Sequence, residues 1–216
     1  MRVIACEQRT REWLEARAGI VTASGFDRLL TPKTLKPSEQ SEKYLNRLLA
    51  EFFLGRPLDD EGGDGSGWMK RGIVMEAEAW AWYSVEREVE VSEVGFCVRD
   101  DGLVGCSPDA LVGEEGGLEV KNPSAEIHIG FLRDPSTLVT AHRGQVQGNL
   151  LVTGRKWWDL LSYNPEIPPV LVRVEPDPKY LAALADPLQS FVARLRSERE
   201  RLMEVRDAHR AANPLL

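Results

Sequence analysis

The sequence predicts an α/β protein in which helices flank a central mixed β-sheet, and three observations predict it. Apolar residues recur at helical spacing over 9–17, 23–30, 38–54 and 67–87. Short apolar or alternating runs near 94–99, 103–106, 109–113 and 117–121 then read as strands. A helix near 138–153, strands near 156–163 and 170–175, and a long helix near 178–210 complete the chain. At 216 residues and 43% hydrophobic content, residues 1–216 suit a single domain with a substantial core.

The first helix ends at Gly19 and is followed by Val21-Thr22-Ala23-Ser24, a hydroxyl-rich start to the next helix. Two readings of that start stand side by side. Free backbone N–H groups and hydroxyls, with Arg17 nearby, make a pocket for a phosphate; equally, Ser24 and Asp27 match an ordinary capping box. The segment Leu58 to Gly67 is too polar and glycine-rich to pack, which predicts a mobile loop near 58–67. In the helix that follows, Ile73, Ala77, Trp80, Ala81 and Ser84 form the expected apolar stripe, with Glu76 inside it and Glu78 outside. A carboxylate there needs a partner: a metal ion on one reading, Arg71 or Lys121 on the other.

The most informative stretch runs from Cys106 to Asn122. Pro108-Asp109 stands ten residues ahead of Glu119-Val120-Lys121, with Gly116-Gly117 as the turn between two strands. Asp109 and Glu119 would then meet from adjacent strand ends, and two hard carboxylates suit Mg²⁺. Lys121 leaves the same strand face as Glu119, where its ammonium would orient a water or offset charge developed in phosphodiester cleavage. The pattern is that of a metal-dependent nuclease. Downstream, Gln145 and Gln147 lie two apart on a helix and cannot share one site, so one of them is spare.

The net charge of −7 excludes a general basic coat, but its distribution is uneven: +3 over 1–50, −12 over 51–120 and +2 over 121–216. The acidic excess coincides with the proposed ligands, where cations would neutralise part of it. A nucleic acid would have to be gripped by a local basic surface. Arg194, Arg196, Arg199, Arg201, Arg206 and Arg210 alternate with acids along the last helix, as on a solvated face. Three separated cysteines, Cys6, Cys97 and Cys106, indicate neither a disulfide framework nor a zinc ribbon. No apolar run is long enough to span a bilayer and the first residues carry no export pattern, so no membrane partner and a cytoplasmic location are expected.

Taken in order, these motifs resemble the bacteriophage lambda exonuclease group, the YqaJ-like viral recombinases of the PD-D/E-x-K nuclease superfamily. The matching stretches are W-x-x-x-R-x-G-x-x-T-A-S (Trp13 to Ser24), G-x-x-x-E (Gly72 to Glu76), C-S-P-D-x-L (Cys106 to Leu111), G-L-E-V-K-x-P (Gly117 to Pro123), Gln145-Val146-Gln147 and Val152-Thr153. The resemblance implies a restriction-endonuclease-like core and a Mg²⁺-dependent exonuclease that digests one strand of duplex DNA from its 5′ end, leaving a 3′ tail for recombination by strand annealing. It implies two Mg²⁺ ions, with Mn²⁺ as a substitute, held by Glu76, Asp109, Glu119 and the Val120 carbonyl. It gives Lys121 and Gln145 the attacking water, and Arg17 and Ser24 the 5′-phosphate, with Thr22 and His142 as further DNA contacts. His142 departs from the family pattern, which often has Tyr there, and its role stays open. A homotrimeric ring around double-stranded DNA ends, a single-strand annealing partner and a bacterial or phage-infected cell are implied in the same way. The rival readings are a RecB- or Cas4-type nuclease of other polarity, whose iron–sulfur members need four cysteines, and a nuclease-inactive DNA-end-binding module.

Overall fold

The computed structural model describes the backbone of residues 1–58 and 66–213, and side chains outside 66–74 within that span. The loop expected near 58–67 lies, apart from its ends, outside the described residues, as does the side chain of Arg71.

Strand β1 (Arg2–Ile4) precedes helix α1 (Arg11–Arg17), whose N-terminus is capped by Thr10 accepting from the Trp13 N–H at 3.3 Å. Next come β2 (Val21–Thr22) and a 3₁₀ helix (Ala23–Arg28), shorter and tighter than the α-helix expected over 23–30. The capping box does not form: Thr22 is the N-cap without a side-chain bond, and the exposed Ser24 hydroxyl meets that of Thr22 at 3.1 Å. Gly25 lets Tyr44 pack against this turn, because a Cβ there would lie 2.2 Å from the Tyr44 hydroxyl.

Helices α2 (Ser41–Leu54) and α3 (Ser66–Arg87) follow, then β3 (Val91–Ser92), β4 (Phe96–Val98), β5 (Val104–Cys106), β6 (Ala110–Val112) and β7 (Gly116–Lys121). The helix expected near 138–153 is interrupted. Helices α4 (Ala125–Arg133), α5 (Pro135–Ala141) and α6 (Arg143–Thr153) occupy the crossover, with α5 started by the Asp134 cap and Pro135, and α6 separated from it at His142. Strands β8 (Trp157–Asn164) and β9 (Ile167–Val174) precede α7 (Pro178–Ala212), capped by Asp177.

The expected central sheet is two sheets. One has the order β1-β4-β5-β2, the other β3-β6-β7-β8-β9, and each mixes parallel and antiparallel pairs. The chain visits the second sheet briefly at β3, returns to the first for β4 and β5, and re-enters the second through Ser107-Pro108-Asp109, where proline has no N–H to continue a ladder. Parallel pairing of β7 with β8 requires a long crossover, and α4 to α6 supply it.

Alternation along β8 divides the core of the second sheet. Trp158 and Leu160 pack with Leu138, Val146 and Leu150 of α5 and α6, while Leu161 packs with Ala79, Tyr83 and Leu118 on the α3 side. A further core joins α2, the 3₁₀ helix and α7 through Phe26, Leu45, Tyr180 and Leu184. The buried stripe of α3 differs from the expected one: Met75, Ala79 and Tyr83 are inside, and Ala77 and Ala81 are exposed. Alanine carries little hydrophobic signal, so large partners decide the face; the Tyr83 hydroxyl donates to buried Asp159 at 2.8 Å. Cys97 and Cys106 are buried, reduced register partners. No helix among the described residues is long and apolar enough to cross a membrane.

Candidate active site

The β6–β7 hairpin aligns Ala110 with Leu118, which sets Asp109 beside Glu119 as the spacing predicts. Asp109 accepts the Val120 N–H through Oδ2 at 2.6 Å. Burial, followed by the nearby charge of Glu119, pushes its carboxyl well above the usual carboxylate range. Glu119 is only 2% exposed and both its oxygens are hydrogen-bonded. Its Oε1 accepts from Lys121 at 2.7 Å and from the Gln145 amide; its Oε2 accepts from Asn149 at 3.0 Å. Lys121 also donates to Gln145 Oε1 at 2.9 Å. Burial disfavours the ammonium, but Glu119 and Asp109 outweigh it and hold the Lys121 pKa above its ordinary value. The amine is therefore a charged donor at neutral pH, suited to orienting a water and stabilising negative charge.

Helix α6 presents Gln145 and Asn149 to this cluster from positions i and i+4. Gln147 faces the other way: its amide donates to the Glu175 carbonyl at 2.9 Å and accepts from the Asp177 N–H at 2.8 Å. Only one glutamine reaches the site, as the helical period requires. Asn149 escaped the sequence reading, although its i+4 relation to Gln145 was a usable signal. His142 sits between α5 and α6 with its ring edge-on to Phe131 at 6.3 Å. Burial and then the Lys121 charge push its pKa down to about 4, so the ring is neutral at physiological pH.

Glu76 approaches the cluster closely enough to act on Asp109 and Lys121 electrostatically, but its carboxylate pairs with Arg9. Of the partners weighed from the sequence, Lys121 bonds Glu119 and Gln145 instead, and the Arg71 side chain lies outside the described residues. Among the described residues, no three acidic, histidine or cysteine side chains converge into a ready cation cage. The donor set of Asp109, Glu119 and the Val120 carbonyl is nevertheless all hard oxygen, and the buried Asp109 carboxyl, pushed up by burial and then by Glu119, is one that a divalent cation would draw into its ionised form.

A second site lies at the junction of α1, β2, the 3₁₀ helix and α2. A cavity of about 270 Å³ is lined by Arg17, Thr22, Ser24, Arg28, Tyr44 and Arg47 among others. The Arg17 guanidinium stacks 4.2 Å over the Trp13 ring, and burial lowers its pKa. Glu51 accepts from the Gly19 N–H at 3.2 Å, from Arg47 at 2.9 Å and from the Leu58 N–H at 3.3 Å. Arg199 of α7 donates to the Gly19 carbonyl and lies 4.7 Å over the Phe52 ring, so this one arginine of the terminal helix is structural and not part of a solvated face. Arg28 of the 3₁₀ helix and Tyr44, Arg47 and Glu51 of α2 escaped the sequence reading because only the packing of α2 brings them beside Arg17. Trp13 ties the two sites together: its indole N–H donates to Ser107 Oγ at 3.0 Å, two residues before Asp109.

The YqaJ-like viral recombinase domain matches residues 12–156. Among solved structures, the chain is similar to an alkaline exonuclease from Laribacter hongkongensis, at 29% identity and a TM-score of 0.75 over 92% of this chain and 99% of that one. The same enzyme in complex with dAMP gives 30% identity and a TM-score of 0.77, with the same coverage. A phage related exonuclease from Haemophilus somnus 129PT shares the fold at 14% identity, with a TM-score of 0.60 over 83% of this chain and 96% of that one. No curated protein matches at the level of sequence. The matched region holds Trp13, Arg17, Asp109, Glu119, Lys121 and Gln145, and the chain belongs to the YqaJ-like viral recombinase family.

Proposed function

We propose that the protein is a metal-dependent exonuclease that enters duplex DNA at its ends, digests one strand 5′ to 3′ and leaves a 3′ single-stranded overhang for recombination by strand annealing. The observation that carries this reading is the Lys121 ammonium, which bridges Glu119 and Gln145 beside Asp109 on one hairpin. Glu76, Asp109, Glu119 and the Val120 carbonyl would hold two Mg²⁺ ions, with Mn²⁺ as a substitute. Bound there, the ions would polarise the scissile phosphate and lower the pKa of water. Lys121 and Gln145 place the attacking water, and Asn149 holds Glu119 so that both remain in register. Arg17 and Ser24 receive the 5′-phosphate, with Thr22 on the same wall. Neutral His142 offers a ring and a hydrogen bond near the DNA, without a charge for the backbone. The Laribacter exonuclease solved with dAMP binds a deoxynucleoside monophosphate, the class of product this reaction releases.

A homotrimer closing around the DNA, a single-strand annealing partner and action inside a bacterial or phage-infected cell belong to the same proposal. The decisive experiment digests linear duplex labelled at either end, with Mg²⁺ or with EDTA. Metal-dependent mononucleotides appearing first from the 5′ label support the reading. Release from the 3′ label would favour an enzyme of RecB type, and binding without cleavage would leave an end-binding module. Light scattering in solution checks the trimer.

A further inference from the structure

Arg9 adopts φ +68°, a left-handed conformation that costs energy in any residue with a Cβ. Its neighbours impose it. On one side, the Gln8 amide donates to the carbonyls of Val94 at 2.8 Å and Pro108 at 2.7 Å, the latter directly before Asp109. On the other, Thr10 caps α1 and donates its hydroxyl to the Glu7 carbonyl at 2.6 Å. The turn is thus pinned to the hairpin that carries Asp109, and the Arg9 side chain crosses to Glu76 on α3. Glu76 is 17% exposed and Arg9 46%, so the carboxylate is largely buried while the guanidinium approaches from solvent.

Glu76, Asp109 and Glu119 do not converge into a cage, but both glutamates act electrostatically on Asp109, with Lys121 the one lysine among them. Glu119 has spent both oxygens on Lys121, Gln145 and Asn149, and Glu76 is turned to Arg9. We propose that Arg9 is a resident counter-cation of the metal centre: its guanidinium holds Glu76 in the cation-free protein and yields it when a divalent cation loads. Arg9 then lowers the cation affinity of the centre and keeps the acidic cluster from repelling itself when empty. The inference rests on the reading of Glu76 as a ligand. Guanidinium and carboxylate match as planar forks, yet a half-exposed pair is weak, so a doubly charged ion displaces it readily.

The test is calorimetric titration of Mn²⁺ into the full chain without DNA. Wild type is compared with Arg9→Gln, Arg9→Gly, Arg11→Gln and Asp109→Asn, with circular dichroism on each preparation. Arg9→Gln and Arg9→Gly should bind Mn²⁺ about two- to five-fold more tightly, the range of a partly exposed ion pair. Arg11→Gln removes an equal charge two residues away, where Arg11 pairs with Glu15, and should leave the affinity unchanged. Unchanged or weaker binding in both Arg9 variants overturns the proposal, as does equal tightening in Arg11→Gln. Absence of Asp109-dependent Mn²⁺ binding in the wild type overturns the metal-centre reading itself, and this inference with it.

Discussion

The acidic hairpin and the cationic pocket are built in opposite ways. At the hairpin, Asp109 and Glu119 stand ten residues apart on adjoining strands, and every Glu119 oxygen is already hydrogen-bonded. In the pocket, Arg17 lies on the face of Trp13, which supplies attraction but no acceptor, and no carboxylate among the described residues hydrogen-bonds it. One site is a preorganised network, where losing any member disturbs the rest. On the proposed reading the other receives an anion at Arg17, so a loss there affects only the ligand that needs it.

The strongest way to break this contrast is Lys121→Ala, which removes the charge shared by Glu119 and Gln145. Cleavage should fall about a hundred-fold or more while DNA-end binding persists, measured with labelled duplex and by fluorescence anisotropy. Asn149→Ala comes next. It leaves a buried Glu119 oxygen without its donor, so activity should fall about ten- to a hundred-fold and stability by about 1–3 kcal/mol, read from denaturant melts. Unaltered activity there would show that the network is looser than its geometry. Arg17→Ala should slow digestion of 5′-phosphorylated duplex about ten-fold and leave hydroxyl-ended duplex unaffected, which steady-state rates on the two substrates would reveal. The smallest effect concerns His142. Its pKa is depressed in the fold to about 4 from 6.5, so the stability it contributes is present above about pH 6.5 and is lost as pH falls toward 4. Replacing it with tyrosine should flatten that slope in thermal melts recorded across the same range.

Legibility followed the distance over which a feature is encoded. The hairpin was readable because a period of two and a short link place Asp109, Glu119 and Lys121 together, but the turn expected at Gly116-Gly117 falls at Gly113-Glu114-Glu115; the two glycines open β7 instead, where a Cβ would meet Trp157 and Trp158. The division of labour between Gln145 and Gln147 followed from the helical period alone. Other expectations failed for equally local reasons. Alanines misdirected the stripe of α3, and the apparent capping box at Ser24 and Asp27 gave way to a 3₁₀ turn packed under Tyr44.

By itself the sequence determined the longer elements, among them α2, α3, β7, β8 and α7, and the acidic hairpin with its lysine, since these depend on near neighbours in the chain; the short β1, β2 and β3 and the separate α4 carry too little pattern to be read. The tertiary structure alone decided that there are two sheets, that Asn149 steadies Glu119, that Arg199 anchors the Gly19 turn and that Arg9 holds Glu76. Those pairings join segments separated by tens of residues or more. No spacing rule reaches that far, because only the packing of α3, α6 and α7 against the sheets selects which distant side chains meet.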